Sequence, residues 1–252
     1  MVRIMSKRIL ITGASGGIGI KLVEQLLIEG NTVYACARTL NKLFHLRESF
    51  AERCVLLYAD FKSEESTLAF IDEIYRIDID VVIFCAGFAN YRSLVSMTPE
   101  IMNEMLFVNY QSVVYIIRSM LNEQRTPHFI ILGSLAAYTA NPGGAIYSAS
   151  KAAMNQTINA LRLEMPEILF TVVNTGPVDT EFIFKASGNV SRLNRLIMIR
   201  SDTLAQEIIK AIHHPRIEIN RPMWMYMALK IYNFAPRTIE KLLKPFFMTK
   251  IK

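Results

Sequence analysis

The chain is 252 residues long, 52% hydrophobic and 20% charged, with three cysteines and a formal net charge of +6. Such a length and apolar share fit one large α/β domain with a sizeable core and leave too little chain for two full domains. The charge is confined to the end: residues 221–252 hold seven basic residues against Glu240 alone, whereas residues 1–220 balance 21 basic with 21 acidic, so no nucleic-acid partner is expected for the body of the chain.

The opening residues, MVRIMSKR, run straight into a strand-like segment and lack the apolar core and cleavage site of a secretory signal, so a cytoplasmic location is expected. The first strand-like run, RILIT, ends in a bare loop, LITGASGGIG from Leu10 to Gly19, and a helix over Gly17 to Glu29, stopped at Gly30, follows. The glycines do not fall in the G-x-G-x-x-G register. Placed between strand and helix, however, Gly13, Gly17 and Gly19 permit a tight turn, close approach of a pyrophosphate and close helix–strand packing, with free N–H groups facing the anion. A glycine-rich turn holding nothing is the competing reading.

The second run, TVYACA, leads to Arg38, where an NAD-binding protein usually places an acidic residue against the ribose 2′-hydroxyl. A guanidinium pairs with a 2′-phosphate that a carboxylate would repel, so NADP(H) is expected ahead of NAD(H), which stays open. The plain alternative is a solvated arginine. Four more runs follow, CVLLYA, DVVIFC, HFIILG and LFTVVN, with helix-period segments between them. Among these are a helix from Pro99 to about Asn122 with Thr98 as N-cap, and one from Ala145 to about Glu164 that stops before Pro166. Runs without alternating polar positions imply strands buried on both faces, and helix-sized connections imply parallel pairing. Right-handed crossovers then give a doubly wound sheet. Cys36, Cys54 and Cys85 lie in these runs and read as core thiols. His213 and His214 precede Pro215 with no carboxylate or cysteine at ligand spacing, so no metal is expected.

Tyr147 and Lys151, in YSASK at the start of a predicted helix, share one face one turn apart. A phenol is a poor base at neutral pH, and lowering its pKa by about three units takes roughly 4 kcal/mol of preferential phenolate stabilisation, which a neighbouring ammonium and a nicotinamide cation could supply. An exposed helical pair is the bland alternative. Thirteen residues earlier Ser134 stands just past a strand, where its hydroxyl could bond a substrate carbonyl.

The combination resembles the short-chain dehydrogenase/reductase family in its single-domain form, in order and at family spacing from about Lys7 to Ile219. The resemblance implies a single doubly wound Rossmann domain of class α/β, with a mainly parallel seven-stranded sheet flanked by helices. TGASGGIG is similar to the family's cofactor loop, which brings Gly13, Ser15, Gly17, Ile18 and Gly19 to the cofactor together with Arg38. Asp60, followed by Phe61, resembles the adenine-contacting aspartate, and Ala86 and Gly87 complete a Cys-Ala-Gly in place of Asn-Ala-Gly. TGPVDT supplies Gly176, Val178 and Thr180 on the nicotinamide side, with Thr175 where proline is usual. Asn109, Ser134, Tyr147 and Lys151 match the catalytic tetrad: Tyr147 as general acid/base, Lys151 lowering its pKa and binding the ribose, Ser134 polarising the carbonyl, and Asn109 holding a water. The implied activity is hydride transfer between a nicotinamide and a carbonyl/alcohol carbon of a small molecule. A homodimer or homotetramer paired through the helices at about 98–122 and 146–164 is implied as well. A cofactor-binding sensor or scaffold with minor or no catalysis is the alternative.

The family's variable substrate loop falls at about 178–200, where Phe182, Phe184, Leu193, Ile197 and Met198 could line an apolar pocket, so a bulky hydrophobic substrate is expected. Residues 221–252 form a basic, aromatic-rich tail beyond a domain of residues 1–220. Its apolar segment, Pro222 to Pro236, reaches only about 22 Å as a helix, short of a roughly 30 Å hydrocarbon core. Trp224, Tyr226, Tyr232, Phe246 and Phe247 alongside lysines suit an interfacial helix and peripheral membrane contact. A lid over the pocket and a subunit contact stay open beside it.

Overall fold

The computed structural model describes residues 6–187 and 197–242. The six expected runs are six strands: β1 (Arg8–Thr12), β2 (Thr32–Ala37), β3 (Cys54–Tyr58), β4 (Val81–Phe84), β5 (His128–Leu132) and β6 (Phe170–Thr175). A short ladder, β7 (Val178–Asp179) with β8 (Ile199–Arg200), staples the base of the 178–200 segment. The last strand, β9 (Glu218–Arg221), adds to β6 and completes a seven-stranded parallel sheet of order β3-β2-β1-β4-β5-β6-β9.

Alternate residues of each strand enter different cores, which is why the runs carry no polar alternation. Ile9, Ile11, Val33, Ala35, Val81 and Ile83 face a layer containing α1 (Gly17–Ile28), α2 (Phe44–Phe50) and α8 (Ser201–His213). Leu10, Cys36, Val82, Phe84, Phe129 and Ile131 face the opposite layer of α3 (Glu64–Ile74), α5 (Ser112–Asn122) and α6 (Ala145–Glu164). Phe84, Phe129 and Phe170 stack across β4, β5 and β6, with centroids 6.4 and 5.3 Å apart.

The helix expected from Pro99 to about Asn122 is broken into two. α4 (Pro99–Leu106) passes through a π turn at Phe107–Gln111 before α5 resumes the α register. Thr98 occupies the N-cap position with extended backbone but makes no side-chain bond to the helix amides. After β6 the chain forms α7 (Glu181–Ser187), and after β9 it forms α9 (Met223–Phe234) and α10 (Pro236–Leu242). β9 therefore straddles the boundary drawn at residue 220. No helix of the described residues is long and apolar enough to cross a membrane.

Candidate active site

Strand order reverses between β1 and β4, so their carboxyl ends open a crevice. Gly13 turns the chain there with φ +66°, and a Cβ at this position would lie 2.7 Å from the Ala86 backbone nitrogen. The loop is tied across the crevice by the Thr12 hydroxyl, which accepts from Ala86 N at 3.2 Å. Gly17 opens α1 with its Cα against the Thr180 side chain, so any Cβ would overlap the threonine methyl. Ser15 and Ile18 are half-buried and Gly19 is buried. The glycine loop, Ala86 and Thr180 thus meet in one cleft, as the sequence spacing implies.

At the far end of the cleft Arg38 is exposed and lies 3.8 Å from the Asp60 carboxylate, too far for a hydrogen bond. Asp60 Oδ1 is buried without any hydrogen-bond partner. A buried acceptor of that kind calls for a donor, and an adenine amino group supplies one. Together with the exposed, loosely paired guanidinium and a glycine turn bare of side chains, it makes a cleft that fits a dinucleotide. Phe61 turns its ring into the core against Phe70, 5.2 Å away, so its side chain is spent on packing.

Tyr147 and Lys151 are each 7% exposed, so they are not an open helical pair. Burial pushes the Tyr147 phenol up from its ordinary value, and a hydrogen bond with the Ser134 hydroxyl pulls it back. Ser134 caps the turn after β5, accepting from Ala136 N at 3.1 Å. Burial lowers the Lys151 ammonium to about 8; it donates to the Leu132 carbonyl at 2.7 Å rather than to the phenol. Asn109 sits inside the π turn and is engaged at both ends of its amide, with one lone pair of Oδ1 left over. Its Oδ1 accepts from Phe88 N at 2.9 Å, and its Nδ2 donates to Phe88 O at 2.9 Å and Ser150 Oγ at 3.2 Å. Ser150 in turn donates to the Tyr147 carbonyl at 2.7 Å. Asn109 therefore fixes the strand-four loop against the helix that carries the tyrosine.

Sequence reasoning named Phe182 in the roof of this site but missed Tyr91 beside it and the floor. Helix α7 lays Phe182 over the Tyr147 ring, with centroids 6.0 Å apart, and Tyr91 meets the same ring edge-on at 5.9 Å. Tyr91 N bonds Ala186 O at 2.9 Å, and Glu181 pairs with Lys42 at 3.5 Å, so α7 is tied to both sides of the cleft. Of the other expected pocket residues, Phe184 is exposed, Ile197 and Met198 are half-buried, and Leu193 lies outside the described residues. Tyr91 stands only four residues past Gly87, and that proximity was its one available signal. Beneath α6, Asn155 Nδ2 donates to Asn174 Oδ1, and Asn174 donates to Tyr138 Oη and Asn220 Oδ1 at 3.0 Å each. This chain of amides joins the helix of Tyr147 to β9. On its far side α9 packs on the turn after Ser134: Tyr138 and Tyr226 meet edge-on at 5.7 Å, and Asn233 Nδ2 donates to the Tyr138 carbonyl at 2.8 Å.

A crevice at the strand-order switch of a doubly wound sheet, with the buried Tyr147 and Lys151 beside it, is the ligand-binding position of α/β proteins of the Rossmann type. The pattern of the short chain dehydrogenase family matches residues 7–189. The chain belongs to that family, whose members act on CH–OH and C=O groups. It is 29% identical over 229 residues to an uncharacterized oxidoreductase of Staphylococcus saprophyticus, covering 85% of this chain and 93% of that one. It is 30% identical over 186 residues to the NADPH-dependent 1-acyldihydroxyacetone phosphate reductase of Saccharomyces cerevisiae, covering 69% of this chain and 62% of the relative. A short-chain dehydrogenase from Sphingobium yanoikuyae, solved with NADPH, shares the fold at a TM-score of 0.78 and 20% identity over 93% of this chain and 95% of that one.

Proposed function

We propose that the protein transfers hydride between NADP(H) and the carbonyl/alcohol carbon of a hydrophobic small molecule. The observation that carries this reading is the Ser134–Tyr147 hydroxyl pair, buried under an aromatic roof with the Lys151 ammonium one helical turn on. When bound, the nicotinamide supplies or accepts the hydride. Gly13, Gly17 and Gly19 hold the pyrophosphate side with Ala86 against their turn, Thr180 serves the nicotinamide side, Asp60 takes the adenine amino group, and Arg38 meets the 2′-phosphate. In reduction Ser134 holds the carbonyl oxygen and Tyr147 gives it the phenol proton; in oxidation the same oxygen of Tyr147 takes a proton back. Lys151, released from Leu132 to the ribose hydroxyls, places its charge toward the phenol and favours the phenolate. Asn109 holds the loop and, through a water, the proton path from Lys151.

Phe182, Tyr91 and the neighbouring Phe88, Met97 and Met105 make the wall around Tyr147 apolar, which supports a hydrophobic substrate. Tyr147→Phe should cut NADPH-dependent reduction of a panel of ketones and aldehydes about a thousandfold while NADPH binding persists. Undiminished turnover overturns the reading, and a cellular role untouched by the substitution favours a scaffold. Arg38→Asp should weaken NADPH tenfold or so more than NADH; an unchanged ratio refutes the cofactor choice.

A further inference from the structure

Helix α9 carries an apolar stripe on its outer side: Met223, Trp224, Met227, Ile231 and Phe234 are 49, 59, 53, 68 and 93% exposed. At the helical angle per residue these five positions fall within an arc of about 100°. The helix cannot turn that stripe inward, because its other side is already committed. Met225 lies against Gly176, Tyr226 against Tyr138, and Tyr232, 7% exposed, accepts from Ala140 N at 3.3 Å. Single exposed apolar residues need no explanation, but a continuous stripe on an anchored helix marks a docking surface.

Charge decides what docks. The whole +6 excess of the chain lies in residues 221–252, while the body is balanced. The one acidic residue of that segment, Glu240, is held by Tyr232 and by Arg237 at 2.9 Å. Lys230 flanks the stripe, its ammonium 5.1 Å from the Tyr226 ring centre, and Lys241 lies in α10. A second copy packed stripe to stripe would bring like charge against like charge, and the body carries no net charge to draw it in. We propose that α9 lies in the plane of an anionic lipid surface, with the stripe in the headgroup and acyl boundary and the lysines at the headgroups. The helix is 12 residues long, about 18 Å, so it lies on the bilayer and does not cross it. This surface is independent of the hydride-transfer reading.

Trp224 is the only tryptophan of the chain and reports directly on the contact. Full-length protein should float with phosphatidylcholine vesicles that contain phosphatidylglycerol and not with phosphatidylcholine alone. Trp224 emission should shift to the blue on binding, and added salt should weaken the binding. The Ile231→Ser/Phe234→Ser variant should bind about tenfold more weakly or worse at unchanged melting temperature. The Lys241→Gln/Lys244→Gln variant, which leaves the stripe intact, should also lose flotation. The proposal is overturned by a protein that fails to float or floats equally with both vesicle types, or by equal flotation of parent and variants. It is likewise overturned by a dimer in light scattering that Ile231→Ser/Phe234→Ser splits into monomers, which assigns the stripe to a second copy.

Discussion

Replacing Lys151 with methionine should stabilise the cofactor-free protein at neutral pH while abolishing turnover. Burial lowers the Lys151 ammonium from 10.5 to about 8, so keeping it charged inside the folded protein costs about 3 kcal/mol. Methionine fills similar space without charge, but the Leu132 carbonyl loses its donor at 2.7 Å, which costs about 1–2 kcal/mol. The net gain is about 1–2 kcal/mol below pH 8. Because the folded pKa is depressed, the unfolded chain binds the extra proton between about pH 8 and 10.5, and the parent gains stability as pH rises through that window. The variant lacks this titration, so its advantage should shrink by about 3 kcal/mol across the window and turn into a small deficit. Urea denaturation of both proteins over a pH series measures the gap directly, since titrations common to both cancel in the difference. A gap that stays constant from neutral pH to above 10.5 refutes the account of a desolvated ammonium. A gap that closes as expected marks the lysine, on the proposed function, as a site where activity is kept against stability.

Asn109→Ala leaves the half-buried N–H and C=O of Phe88 without the partners they now have at 2.9 Å, and should lower the urea-derived stability by about 1–3 kcal/mol; a loss under about 0.5 kcal/mol, by the same measure, contradicts the clamp. Gly17→Ala drives a methyl into the Thr180 side chain, so NADPH affinity, followed by fluorescence titration, should fall about tenfold with the fold retained, and unchanged affinity shows that Thr180 moves aside freely. Phe129→Ala empties the centre of the three-ring stack at a fully buried position and should cost about 3–5 kcal/mol in chemical denaturation; a cost near that of a surface substitution denies the stack a part in the core.

Six of the seven strands were legible because burial on both faces demands continuous apolar runs, as in RILIT and HFIIL. The seventh, Glu218–Arg221, was not: it reads EINR, pairs only with β6 at the sheet's end, and owes its place to that neighbour rather than to its own residues. The glycine turn and the buried Tyr147 and Lys151 could be named from spacing, since a strand end and one helical turn fix their placement. Their partners could not. Leu132 lies 19 residues from Lys151, and Ser150 lies 41 from Asn109, and such contacts depend on how separate helices cross the sheet. Phe182 could be named for the pocket, but its seat on the Tyr147 ring, beside Tyr91, needed the path of α7, which no local pattern in EFIFKAS dictates.

The π turn at Phe107–Gln111 holds one residue more than an α-helix of the same rise would need. Deleting one residue there would restore ordinary winding with the same rise and nearly the same rotation, so Val113, Ile116, Ile117 and Met120 would stay against the sheet. The change would fall inside the turn itself, where Asn109 holds both Phe88 backbone groups. The helix on either side therefore answers to the sheet, and the extra residue answers to the loop after β4: the domain's layer could outlive its loss, and the clamp on that loop could not.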